Sequence, residues 1–231
     1  GMGVDEDKIL KNAWASLLVY EDIRHARTVG EIARDDRRGL TQIAQPKGPI
    51  LGTVPVTNPT STAIFKALIC MKTRNPLIIS AHRGARKCVK ETVRILAAAA
   101  EAAGAPRHAI QVMTRGQSDY VKHVMHHPDL ALILATGTRS IVATAQKSGT
   151  PTLGVGPGNV PVYVHRSADL ALAADAIVLS KAFDNGTVCA SEQALILEHD
   201  VAAELQPLLE ARGSHYCTAA EARALGPVCF D

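Results

Sequence analysis

The chain has 231 residues, of which 47% are hydrophobic and 20% charged, with a formal net charge of +3. That balance is enough to bury a core and excludes a disordered polymer. Aromatic residues make up only 3%, and the basic residues are mixed with acidic ones, as in RHAR (24–27) and DDRR (35–38), which leaves no stacking platform or basic stripe for nucleic acid. No apolar run approaches the roughly 20 residues that span a bilayer, and the opening GMGVDEDKILKN lacks the apolar core of a secretory leader; a cytoplasmic location away from membranes is expected.

Residues 4–22 carry Ile9, Leu10, Trp14, Leu17 and Leu18 at helical spacing behind an acidic first turn, predicting a helix that buries this stripe. From residue 43 short apolar runs alternate with longer helical stretches. GPILGTVPV (48–56) reads as a strand, and TSTAIFKALICMKTR (60–74) as a helix with Thr60 or Ser61 as N-cap. The unit recurs: strand 76–80 and helix 84–104, strand 109–113 and helix 118–126, strand 129–136 and helix 138–149, then strand 150–155. Strands this apolar, each followed by a helix, predict an α/β fold: a parallel, Rossmann-like sheet with helices on both faces and ligands at the carboxyl ends of its strands.

After GVGPGNVP (154–161) the texture changes. The one clear strand is EQALILEHD (192–200), leading into a helix at 201–212, with VYVHR a candidate for a further one; residues 167–183 read as an amphipathic helix and CTAAEARALGPVCFD as the start of another helix. The predicted division puts residues 1–155 in a first domain and 156–231 at the start of a second, core-poor one, which calls for a partner surface and so for a homo-oligomer.

Five cysteines, Cys70, Cys88, Cys189, Cys217 and Cys229, form no CxxC pair, so free thiols are expected and no structural metal. His123, His126 and His127 form the only local histidine cluster, placed where a helix runs into the turn at Pro128; a helix end is expected there and no metal site. Two strand-to-helix junctions suit an anion or a developing oxyanion. In VPVTNPTSTAIFK (54–66), Thr57, Asn58, Thr60 and Ser61 open a helix, with a simple capping turn as the bland reading. In ATGTRS (135–140), Gly137 allows close backbone approach before Thr138, Arg139 and Ser140, without the G-x-G-x-x-G fingerprint. Gly154, Gly156 and Gly158 form either a hinge or a wall for a flat ligand. In FDNGTVCASEQ (183–193), Cys189 stands among small and polar neighbours; it is either a nucleophile or a spectator, whereas Cys70 and Cys88 sit among apolar neighbours and read as spectators.

Taken together, GMGVDEDKILKN, GTVPVTNPTSTAIFKALICMKTRNPLIIS, MHHPDLALILATG, SGTPTLGVGPGNVPV and SKAFDNGTVCASEQ resemble, in order, segments of the CoA-acylating aldehyde dehydrogenases, especially the aldehyde dehydrogenase half of bifunctional aldehyde-alcohol dehydrogenases. The resemblance implies the aldehyde dehydrogenase fold, with the catalytic domain continuing beyond this chain. It also implies a short-chain aldehyde and its acyl-CoA as substrates, NAD as cofactor and coenzyme A as co-substrate. Cys189 falls at the nucleophile position and Asn58 at that of the oxyanion donor. Val56, Thr57, His82, Gly137, Thr138 and Gly154 fall where the family meets the dinucleotide. Hydrolytic relatives hold a glutamate base at the position taken here by Gly154, so acyl transfer to CoA is expected over release of a free acid. Thr138-Arg139-Ser140 departs from the more glycine-rich run of relatives.

Overall fold

The computed structural model describes residues 3–114 and 118–229; Gly1 and Met2 of the opening segment, and Phe230 and Asp231 of the last, lie outside the described residues. The chain forms two compact units, 1–157 and 158–231.

The first unit is built on five parallel strands in the order β5-β4-β3-β6-β7: β3 (Ile50–Val54), β4 (Leu77–Ala81), β5 (Ile110–Val112), β6 (Leu132–Thr136) and β7 (Thr152–Val155). The central strand β3 is buried along its whole length, as expected for a parallel sheet covered on both faces. On one face α2 (Pro59–Lys72) and α3 (Arg86–Ala102) bring Ala63, Ala67, Val89 and Val93 against Ile50, Val54 and Ile79; on the other α4 (Ser118–Met125) and α5 (Arg139–Gln146) bring Val121, Met125 and Ala145 against Leu51 and Ile133. Successive β3 residues thus enter opposite cores, and each fully buried leucine or isoleucine contributes about 1.5–3 kcal/mol. Strand order reverses between β3 and β6, so the connections on either side of this pair diverge and leave a crevice at its carboxyl end.

The first helix, α1 (Asp5–Ile23), forms where its periodicity predicts, but it is turned the other way. Ile9, Leu10, Trp14, Leu17 and Leu18 are all more than half exposed, and Ala15 is the buried residue. The face with Lys8, Lys11 and Ala15 packs along α2, because the lysines find backbone and amide oxygens at the start of α2 that an apolar stripe could not satisfy. At the far ends, Lys72 Nζ donates to Arg24 O at 2.6 Å, so the two helices run side by side in the same direction.

Between α1 and β3 lies an antiparallel hairpin absent from the predicted elements, β1 (Gly30–Asp35) and β2 (Leu40–Ala44). Its turn uses Gly39 at φ +66° and a bond from Arg38 N to Asp35 Oδ1 at 3.1 Å. Only Gly30, Ile32 and Ala44 of its strand residues are partly buried, and the rest, including the cross-strand pair Glu31 and Ile43, are exposed; periodicity is silent where neither face is buried.

The second unit pairs β8 (Val160–Val164) with β9 (Glu192–Leu197) in parallel. With α6 (Leu170–Ala182), α7 (His199–Glu210) and α8 (Ala219–Cys229), this gives two strands where the sequence showed one clearly. Val164, Ala174, Val201, Leu205 and Leu209 form its core. The helix expected to be amphipathic, α6, carries large apolar residues on its exposed side as well: Leu172 and Leu179 are 66% and 75% exposed.

Candidate functional site

At the carboxyl end of the first unit's sheet, the ladder between β3 and β6 runs from Ile50↔Leu132 to Gly52↔Leu134 and then opens. Side chains bridge the opening. Thr53 Oγ1 donates to Thr136 O (3.0 Å) and accepts from Thr136 N (2.9 Å), while Lys66 Nζ donates to Thr53 O and Leu134 O, both at 2.6 Å. Gly52 leaves room for the lysine stem, since a Cβ there would meet Lys66 Cδ at 3.1 Å. Burial lowers the Lys66 pKa to about 7, partly offset by the Cys70 thiol, and burial pushes Cys70 up to about 12. Cys70 is therefore a neutral, buried thiol at neutral pH, in keeping with a spectator. Lys66 and Thr53 were not singled out from the sequence; the available signal was a lysine set among Ala63, Ala67 and Cys70 on an otherwise apolar face.

The loops that follow carry the expected residues. Asn58, rather than Thr60 or Ser61, is the N-cap of α2, with Pro59 in the first helical position. A proline there loses nothing, because its missing N–H has no partner within the helix. The Asn58 side chain does not cap the helix. Instead its Oδ1 accepts from Lys11 Nζ, its Nδ2 lies 3.3 Å from Thr57 Oγ1, and Lys8 Nζ donates to Thr57 O at 2.7 Å. Val56 lies beside the turn after β4, where a Cβ on Gly84 would meet Val56 Cγ2 at 3.3 Å. In that turn His82 N donates to Val54 O (3.0 Å), and His82 Nδ1 accepts from Gly84 N (3.2 Å), so its ring caps a short helical turn.

Across the crevice, Gly137 N donates to Val155 O at 3.2 Å, and a Cβ at Gly137 would stand 2.8 Å from Ile141 Cγ2. Thr138 caps α5, accepting from Ile141 N at 3.5 Å, and is exposed with Arg139. Gly154 lies within β7, where a Cβ would sit 2.6 Å from Val142 Cγ1; no side chain fits there unless α5 shifts. The fold thus gathers Val56, Thr57, Asn58 and His82 along one side of the crevice mouth and Gly137, Thr138 and Gly154 along β6 and β7.

In the second unit, Cys189 is exposed on the turn that precedes β9, closed by Ser191 N donating to Val188 O at 3.0 Å. The approach to it is strained. Asp184 (φ +53°), Asn185 (+53°) and Gly186 (+65°) lie successively in the left-handed region, which Asp and Asn enter more readily than other side chains but still at a cost that glycine does not carry. Asp184 is fully buried and accepts from Thr187 Oγ1 at 2.8 Å, and Ser191 is buried on the other flank. Two buried polar anchors therefore hold an exposed thiol between them. The sequence marked Asn185-Gly186 as the turn; the buried Asp184 at its root was missed.

A groove of about 410 Å³ in the second unit is lined by Ile177, Lys181, Glu192, Leu209, His215 and Tyr216 among others, and includes none of the expected site residues. The histidine cluster closes a helix end: His126 Nδ1 lies 2.7 Å from Lys122 O, and His127 Nδ1 accepts from Asp129 N at 3.2 Å. Among the described residues, no group of three or more His, Cys, Asp or Glu side chains could hold a metal ion, and no helix is long and apolar enough to cross a membrane.

Residues 15–228 match the model of the aldehyde dehydrogenase family. The aldehyde-alcohol dehydrogenase of Streptococcus pneumoniae is 45% identical over 230 residues, covering all of this chain and 26% of that protein. An acetylating aldehyde dehydrogenase from Geobacillus thermoglucosidasius superposes with a TM-score of 0.93 at 44% identity, over all of this chain and 51% of that one. A Rhodopseudomonas palustris propionaldehyde dehydrogenase, solved with bound CoA and an acylated cysteine, superposes at 0.83 with 27% identity, over all of this chain and 52% of that one. The chain thus spans about a quarter of the curated relative and about half of each solved chain.

Proposed function

Because the chain belongs to the aldehyde dehydrogenase family, we propose that the protein carrying it interconverts a short-chain aldehyde and its acyl-CoA with NAD(H), with Cys189 as nucleophile. The observation that carries this reading is the presentation of Cys189: an exposed thiol on a turn held between buried Asp184 and Ser191. The Cys189 thiolate attacks the aldehyde carbon, and the new C–S bond turns the carbonyl into a thiohemiacetal oxyanion. The Asn58 carboxamide N–H and the Cys189 backbone N–H stabilise that charge. Loss of hydride from that carbon, to the acceptor that a bound NAD would supply, would leave a thioester on Cys189; the thiol of CoA would then take the acyl group as acyl-CoA and release the cysteine thiolate.

A dinucleotide fits the first unit's crevice on its own terms. The strand order reverses there, the start of α2 faces it with no side-chain cap, and Gly137 brings backbone close. Bound there, NAD supplies the hydride acceptor. Val56, Thr57, His82, Gly137, Thr138 and Gly154 would hold it. Transfer to CoA is favoured over hydrolysis by Gly154, which offers no carboxylate base to activate water and where a side chain would have to displace Val142. The relative solved with CoA and an acylated cysteine supports the same choice. A cytoplasmic enzyme working as a homo-oligomer completes the reading.

The test is a product assay on the full-length protein with acetaldehyde, NAD and CoA. Acyl-CoA as the product, lost in Cys189→Ser, is expected. Free acid as the product would point to the hydrolytic reaction. Acyl-CoA formation surviving in Cys189→Ser would remove the assigned nucleophile, and no turnover at all with no selective labelling of Cys189 would leave a non-catalytic binding module.

A further inference from the structure

The side chain of Asn58 is set by a residue 47 positions earlier. Lys11 Nζ donates to Asn58 Oδ1 from the second turn of α1, and Lys8, one turn before, donates to the neighbouring Thr57 O at 2.7 Å. An ammonium has three donors and no acceptor, so the carboxamide atom facing it must be the oxygen. The amide nitrogen is thereby turned away from α1. It lies 3.3 Å from Thr57 Oγ1, and its second N–H makes no hydrogen bond among the described residues. Asn58 also occupies an N-cap position, where an asparagine ordinarily turns its oxygen onto the helix N–H groups, and it does not do so. Two observations therefore agree: the carboxamide is withheld from the local bond its position favours, and its oxygen is held by a charge on another helix.

From this geometry we infer that Lys11 is a positioning residue for catalysis, which fixes the Asn58 carboxamide with its N–H edge outward as the oxyanion donor. This rests on the reading of Asn58 given above. The charge does more than orient. A charge-assisted bond onto the oxygen draws electrons from the amide nitrogen and strengthens its N–H as a donor. The same contact accounts for the orientation of α1, which turns its lysines inward and leaves Leu10, Trp14 and Leu17 exposed.

The test measures kcat and the KM for NAD in the full-length protein with acetaldehyde and CoA. Loss of the donor itself in Asn58→Ala should lower kcat about a hundredfold. Lys11→Met, which frees the carboxamide to rotate, should lower it about tenfold, with KM for NAD within about twofold, and Lys11→Arg should recover most of the loss. Once Asn58 is alanine there is nothing left to orient, so adding Lys11→Met should cost less than about twofold more. Should Lys11→Met not fold, Lys11→Gln replaces it, and the same coupling to Asn58→Ala is expected. The inference is overturned if the Lys11 variant keeps wild-type kcat while Asn58→Ala loses its hundredfold, or if the Lys11 effect persists undiminished in the Asn58→Ala background. Wild-type kcat in Asn58→Ala would instead overturn the assignment of Asn58, and the role of Lys11 with it.

Discussion

The two units solve the burial of a parallel strand pair differently. In the first, β3 has neighbours on both edges and helices on both faces, and none of its five residues is exposed. In the second, β8 and β9 bury one face against α6 and α7, and the alternate residues Tyr163 and Ile196 stand 59% and 51% exposed. Each places its chemistry accordingly. The buried sheet holds backbone and amide donors still at its carboxyl end, where Thr53 and Lys66 brace the opening between β3 and β6. The thinner unit presents its thiol on a turn, and rigidity there comes from buried polar anchors and a left-handed backbone in place of a covered sheet.

The sharpest way to break this contrast is to remove equivalent side chains from the two sheets. Leu51→Ala, at a site with no exposure, should cost about 3–4 kcal/mol of stability, whereas Ile196→Ala on the open face of β9 should cost less than about 1 kcal/mol. Hydrogen exchange at the amides of β3 and β9 reads the two losses separately. Equal losses would mean that the open face of β9 is covered in the protein.

A second effect, intermediate in size, belongs to the first unit alone. The Lys66 pKa is about 7 in the fold, below the 10.5 of an ordinary lysine, so above pH 7 the unfolded chain holds a proton that the folded one releases. Stability should then rise with pH between 7 and 9, by up to about 1.4 kcal/mol per pH unit. Above pH 9 the unfolded Cys70 loses its proton while the folded thiol, near 12, keeps it, and that opposing term should flatten the rise. Denaturant unfolding at pH 7, 8 and 9 should show the slope in wild type and lose it in Lys66→Met.

The smallest effect is expected where sequence and structure disagree most. Trp14, placed by periodicity in a buried stripe, is 60% exposed, so Trp14→Ala should change the stability of the chain by less than about 0.5 kcal/mol. A loss of several kcal/mol in thermal unfolding would show that the stripe is covered.

The α/β alternation and its parallel sheet were legible because strands buried on both faces leave continuous apolar runs. Turn residues such as Gly48, Asn75, Gly104, Pro128 and Gly149 precede these runs. The hairpin at 30–44 was not, since its exposed residues carry no apolar rhythm. The N-cap of α2 was misplaced by two or three residues because Thr60 and Ser61 are equally good caps in isolation. Around the candidate site, Cys189 stood out by its polar setting and Asn58 by its junction. Lys66 and Asp184, which brace their surroundings, were hidden because a buried charged residue looks in sequence like any surface one.

Sequence by itself determined the class of fold, the junctions at 57–58 and 137–138, and the segment that carries Cys189, since all of these rest on local spacing and residue type. Tertiary structure alone decided which face of α1 turns inward, that Gly154 has Val142 where a side chain would be, and that Lys11 holds the oxygen of Asn58. The physical reason is common to the three. Periodicity says which residues share a face but not which partner that face will meet, and the orientation of an amide is set by whichever charge the fold brings beside it.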